Sequence, residues 1–143
     1  VKVVDLNVLL YAVNPSFEQH SRVRQWWEDA MSDDEPIGLT WIVVGGFIRI
    51  STNPRIFPRP METHAALAKI QTWLNHPNTQ LAQETGNHWK VLRELLEQTG
   101  SAGNLTTDAH LASLAICHGA KLVSCDNDFG RFPGLRWVNP LRE

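Results

Sequence analysis

The spacing of apolar positions changes several times along the chain, and each change marks an element. Val1 to Val4 is a β-branched run that stops at Asp5, the pattern of a short buried strand. Val8 to Val13 is apolar nearly all round and suits a short buried helix ending before Pro15, which leaves Asp5 just ahead of a helix N-terminus. Val23, Trp26, Trp27, Ala30 and Met31 then recur at helical spacing, with Ser16 or a neighbour as cap. Asp33-Asp34-Glu35-Pro36 reads as a solvated turn. Ile37 to Leu39 is a second strand, and Thr40 can cap a helix from Trp41 to about Ile50. Gly45 and Gly46 inside that helix each lower its propensity by about 1 kcal/mol relative to alanine. Close packing on another element accounts for them, a dimer contact being one example.

Residues 52–60, with three prolines, form a turn-rich connection. Ala66, Leu67, Ile70, Trp73 and Leu74 mark one face of a helix from Met61 to Asn75, ended by His76-Pro77. Thr79 to Leu81 reads as a third strand. A helix from Gly86 to Gln98 follows, with Trp89, Leu92, Leu95 and Leu96 inward and Gly100 beyond its end. Leu111, Leu114, Ala115 and His118 share a face of the next helix, for which Thr106 or Thr107 is the cap and Asp108 lies in the first turn. Lys121 to Ser124 is a strand running straight into Asp126 and Asp128, and Leu135 to Asn139 is the last.

Alternating strands and helices predict an α/β fold with a mainly parallel sheet. If the strands before Asp5 and Asp126 are parallel neighbours, both acids emerge at the carboxyl edge, where open α/β sheets bind ligands. Paired carboxylates there are tolerable if solvated, if one is protonated, or if a divalent cation lies between them. Asp108 alone is explained by the helix dipole. Gathered with Asp5, Asp126 and Asp128, it completes an all-oxygen cluster suited to Mg²⁺ or Mn²⁺. The natural chemistry of such a cluster is phosphodiester hydrolysis. None of the six histidines has zinc spacing, and His110 lies on a different side of its helix from Asp108.

Composition narrows this further. A chain of 143 residues without a Pro/Gly/Ser-rich linker predicts a single domain, 1–143. The longest apolar run is too short to span a bilayer and nothing resembles a signal peptide, so a cytoplasmic protein without membrane contact is expected. The two cysteines suit free thiols better than a disulfide framework. A net charge of −2 implies no nucleic-acid partner by itself. Basic contacts to phosphate would come from a local patch, for which Arg22, Arg24, Arg49, Arg55 and Arg131 are candidates.

Four stretches carry a family resemblance: Val4-Asp5-Leu-Asn7-Val-Leu-Leu, Gly46 to Phe57, Asn104-Leu-Thr-Thr-Asp108-Ala-His-Leu-Ala112, and Leu122-Val-Ser-Cys-Asp126-Asn-Asp128 through Trp137. In this order and spacing they resemble the PIN-domain toxins of bacterial VapBC toxin–antitoxin pairs, over essentially the whole chain. The resemblance implies a PIN-like three-layer α/β/α sandwich. It also implies a ribonuclease that binds Mg²⁺ or Mn²⁺, cuts structured RNA such as transfer or ribosomal RNA, forms a homodimer and is held inactive by a VapB-type antitoxin. By matching position, Asp5, Asp108 and Asp126 would be metal-binding catalytic acids, Asp128 a fourth contributor, and Asn7 and Ser124 supporting residues. In one respect the chain departs from the wider pattern: many PIN domains have glutamate where Gly46 stands. That motivates one rival, a PIN-fold module that binds RNA or protein without cutting. A second, a phosphoaspartate enzyme, would need a second acid on the first strand where Asn7 stands and a lysine near a later strand end, whereas Lys121 begins its strand.

Overall fold

A computed structural model describes residues 1–100 and 102–142. Five strands, β1 (Lys2–Val4), β2 (Ile37–Leu39), β3 (Thr79–Leu81), β4 (Lys121–Val123) and β5 (Trp137–Val138), form one sheet in the order β3-β2-β1-β4-β5. Every pairing is parallel. Six helices flank it: α1 (Leu6–Val13), α2 (His20–Met31), α3 (Trp41–Ser51), α4 (Thr63–Asn75), α5 (His88–Thr99) and α6 (Thr106–Cys117). Helical crossovers carry the chain outward from β1 to β2 to β3 and then back across to β4. Accordingly α1 packs on α2 and α3, α3 packs on α4, and α5 packs on α6. The direction of strand addition reverses between β1 and β4, so the switch point of the sheet lies where Asp5 and Asp126 leave it.

The strands read as continuous apolar runs because both faces are covered: Val3, Val4, Ile37, Leu39, Leu122 and Val123 are fully buried. Phe47 and Trp27 pack edge-on against Trp73, tying α2, α3 and α4 together (ring centroids 5.1 and 5.4 Å). At the opposite, amino-terminal edge the acidic turn is more than a solvated loop. Asp33 accepts from the nearly buried Lys2 Nζ at 3.0 Å, and Glu35 bridges the amino terminus and Lys121.

Element bounds depart from the sequence reading where local geometry outweighs periodicity. α4 begins at Thr63 and α5 at His88, the last strand shortens to Trp137–Val138, and α2 has no side-chain cap. Instead the Asn14 carboxamide accepts from Ser16 N and Oγ, turning the chain ahead of α2. Neither Thr106 nor Thr107 caps α6, because a 3₁₀ turn over Gly103–Leu105 leads directly into it. Leu67 and Trp89, both expected to face inward, are 49% and 68% exposed.

Candidate active site

The in-register pairing of Val4 with Val123 sets Asp5 beside Ser124, with Asp126 two residues further on. Asp5 N donates to Val123 O at 2.9 Å, continuing the ladder, and the Asp5 carboxylate then caps α1 by accepting from Leu6 N at 2.7 Å. Its other oxygen accepts from Ser124 Oγ at 2.7 Å and from Asn7 Nδ2 at 3.3 Å. The Ser124 hydroxyl in turn accepts from Asn7 Nδ2 (3.2 Å) and from Asp126 N (3.0 Å), and Asn7 Oδ1 accepts from Cys125 N at 3.1 Å. Asn7 and Ser124 therefore hold the β4 exit loop against the start of α1. Beyond that loop, Asp126 caps a 3₁₀ turn, Asn127–Arg131, by accepting from Asp128 N at 2.9 Å.

The first turn of α6 brings Asp108 to the same place. One carboxylate oxygen from each of Asp108, Asp126 and Asp128 lies within 4.8 Å of the others. All three belong to the group of four acids expected by sequence. Asp128, named there as a fourth contributor, belongs to the trio. Asp5 stands outside the trio, tied by hydrogen bonds from Leu6, Asn7 and Ser124.

Electrostatically the cluster is under strain. Burial pushes the Asp108 carboxyl up to about 6, with Asp5, Asp126 and Asp128 adding to the rise and Arg131 opposing it. Burial also raises Asp5 above the usual carboxylate range, against its bonds from Ser124 and Leu6, and Asp126 adds to the rise. Among the described residues the one cation with a contact to the trio is Arg131, whose Nη2 lies 3.1 Å from Asp128 Oδ1 on the exposed side. Four carboxylates with so little compensation are the donor set of a hard divalent ion, and the residues present fit Mg²⁺ or Mn²⁺. Cys125 lies beside them, but burial and then Asp5 push its thiol up to about 12, which removes it as a nucleophile.

Of the other candidate arginines, Arg24 pairs with Glu28 along α2. Arg22 lines a cleft of about 800 Å³ beneath α2, together with Lys2 and Lys121. Arg49 and Arg55 are exposed on the last turn of α3 and the loop after it. Gly46 lies close against the movable end of the Leu6 side chain. A Cβ there would lie 2.8 Å from Leu6 Cδ2, so α3 packs directly on the residue following Asp5. Gly46→Glu is accordingly expected to cost about 1–3 kcal/mol through overpacking and to add no metal-dependent stability. Urea denaturation with and without Mn²⁺ checks this.

His110, two residues past Asp108, belongs to a different network, a structural one. Its Nε2 lies 3.3 Å from Glu84, which can only accept when ionised, so Nδ1 is the acceptor for His88 Nε2–H at 2.9 Å. His88 Nδ1 ends this chain buried and without a partner. His110→Ala would strand the His88 donor between α5 and α6. A loss of about 1–3 kcal/mol in thermal or urea denaturation is expected.

Comparison with known proteins adds to this geometry. A PIN domain model matches residues 2–135. The chain is 42% identical over 140 residues to Ribonuclease VapC37 of Mycobacterium tuberculosis, covering 98% of this chain and 97% of that one. It is 41% identical over 141 residues to Ribonuclease VapC33 of the same species, covering 99% of each. Among solved structures it resembles VapBC2 from Rickettsia felis bound to a fragment of promoter DNA, with TM-score 0.71, 21% identity and coverage of 96% and 97%. It also resembles VapC20 of M. tuberculosis, described as a sarcin-ricin loop cleaving toxin, with TM-score 0.67, 17% identity and coverage of 95% and 99%.

Proposed function

Because the chain belongs to the PIN-domain family, as a ribonuclease toxin of the VapC type, we propose that it is a metal-dependent endoribonuclease that hydrolyses phosphodiester bonds in structured RNA, transfer or ribosomal. The observation that carries this reading is the carboxylate cluster at the switch point of the sheet, three of its oxygens within 4.8 Å of one another. Asp108, Asp126 and Asp128 would hold Mg²⁺ or Mn²⁺. Such an ion lowers the pKa of bound water and offsets charge on the phosphate.

The protein's own part is placement. Asp5, with its outer lone pairs still available, adds negative charge beside the trio and completes the set of four acids. Ser124 and Asn7 fix its carboxylate and the Asp126 backbone in one orientation. Arg131, on the exposed rim, is placed to leave Asp128 for a substrate phosphate. Cleavage of end-labelled total transfer and ribosomal RNA in Mg²⁺, in Mn²⁺ and in chelator tests the reading. Discrete metal-dependent fragments are expected. Tight binding without fragments would favour the non-cutting module instead.

A VapB-type antitoxin is the expected protein partner, since the structural relatives include VapBC and FitAB complexes. A homodimer is the expected assembly. Its support is an exposed strip on α3, with Trp41 54% and Ile42 43% exposed and open space at Gly45. Apolar side chains clustered on one outward helix face favour a partner surface. Trp41→Glu is expected to shift the sedimentation coefficient of the antitoxin-free protein from dimer to monomer, and an unchanged dimer would move the interface elsewhere.

A further inference from the structure

Two of the clustered acids, Asp126 and Asp128, come from one short 3₁₀ turn, Asn127–Arg131, and its cap. Hydrogen-bond geometry in such turns is poor, so the shape of this one depends on what holds it from outside. Two anchors are plain: the Ser124 hydroxyl accepts from Asp126 N, and the Phe129 ring is buried against Phe132 at 5.9 Å. A third comes from residues 137–142, which the nuclease reading leaves without a role. Trp137, on β5, donates from Nε1 to the Ser124 carbonyl at 2.9 Å. Its ring lies against the turn, since a Cβ added at Gly130 would stand 3.5 Å from Trp137 Cζ3. The Arg142 guanidinium sits over the same ring, 5.8 Å from the centroid, and its Nη2 donates to Asn127 Oδ1 at 3.0 Å. Asn139 Nδ2 reaches that oxygen too, at 3.4 Å. Asn139 is itself nearly buried, and its Oδ1 accepts from Leu141 N at 2.9 Å within the 3₁₀ turn Pro140–Arg142.

Asn127 stands between the two acids in sequence and is exposed, so water could serve its amide equally well. Instead two donors from another part of the chain converge on one of its atoms. We infer that Arg142 is a positioning residue for the metal site: seated on Trp137, it holds Asn127, and through it keeps Asp126 and Asp128 at the spacing that lets both carboxylates meet Asp108. The inference rests on the reading of the trio as a metal site. Arginine suits the task because its planar guanidinium stacks by its face and donates from its edge, which a lysine ammonium does not do. Charge gives the opposite expectation. A cation beside the acids, acting only as a charge, repels a bound metal ion, so its loss would tighten binding; loss of a brace weakens it.

The test compares wild type, Arg142→Ala, Asn127→Ala and the double variant, all changed at exposed positions. Mn²⁺ affinity is read from the electron paramagnetic resonance of the free ion, and backbone amide exchange is followed in the metal-free proteins. Each single change is expected to raise the Mn²⁺ dissociation constant about 10-fold, the lower end of the range for residues that orient metal ligands. The double variant should be no weaker than either single, because both remove the same contact. Amide exchange should quicken over residues 126–131 alone. Unchanged or tighter Mn²⁺ binding by Arg142→Ala overturns the inference while the metal-site reading stands. Losses that multiply in the double variant also overturn it, since Arg142 would then act other than through Asn127. Faster exchange throughout the sheet does so as well, because Arg142 would then hold the fold. No Mn²⁺ binding by wild type overturns the metal-site reading and the inference with it.

Discussion

Replacing Asp126 by asparagine is expected to slow RNA cleavage about 100- to 1,000-fold, the usual scale for removing one electrostatic group from a reaction centre, while leaving the metal-free protein at least as heat-stable as its parent. The two effects have one cause. Asp126 raises the carboxyls of both Asp5 and Asp108 by repulsion, so removing its charge relieves the folded state. Asparagine can still accept from Asp128 N, so the 3₁₀ turn that Asp126 caps is retained. Function and stability therefore pull in opposite directions at this residue, as at other sites where charge is gathered for chemistry. Ser124→Ala is the contrasting change. It removes the donor to Asp5 and the acceptor for Asp126 N and Asn7, so both stability and cleavage should fall, the latter about 10- to 100-fold if the effect follows that of other residues that orient metal ligands. Thermal denaturation in chelator and single-turnover cleavage in Mn²⁺ separate the two. An Asp126→Asn protein that is both inactive and unstable would mean that the acid acts through the fold.

These predictions draw on residues that the sequence makes visible to different degrees. Asp5 and Asp126 are legible because each follows a short buried strand, and parallel pairing of β1 with β4 then brings them to one edge. Asp108 is not legible from its own surroundings, where a helix dipole explains it fully. It joins Asp126 and Asp128 only because the fold brings the first turn of α6 to the same edge. The hydrogen bonds that hold Asp5 beside the trio are not readable in the sequence. Whether a carboxylate faces the cluster or is tied back depends on a hydroxyl 119 residues away, at Ser124, and on no local pattern. Trp89 and Leu67 failed for a related reason. Helical spacing identifies a face but not its width, and both lie at margins that nothing within the described chain covers. The contact of Gly46 with Leu6 is likewise a property of how α3 meets α1, although the glycine pair signalled a close approach.

Metal binding and pH should prove linked through Asp108. Its carboxyl stands at about 6 in the folded, metal-free protein against an ordinary value of 3.8. The folded state therefore holds more protons than the unfolded state between those values, and stability on this account is highest below the ordinary value and is lost as pH rises through about 6. Asp5, also raised, acts in the same direction. His88 acts in the opposite one. Burial, then His110, lowers it from 6.5, so its contribution is lost as pH falls through that range. Wild-type melting temperature against pH thus mixes opposing slopes. The difference between wild type and Asp108→Asn isolates one of them. Asp108→Asn should be the more stable of the two near pH 7.5 without metal, with the gap closing toward pH 4.5. Mn²⁺ at about one hundred times its dissociation constant would add roughly 2.7 kcal/mol to wild type. That gain should be largest near pH 7.5, smaller near pH 5 where the proton competes, and weak throughout in Asp108→Asn. A gap independent of pH would remove Asp108 as the titrating ligand, and an equal Mn²⁺ gain in the variant would place the ion away from the trio.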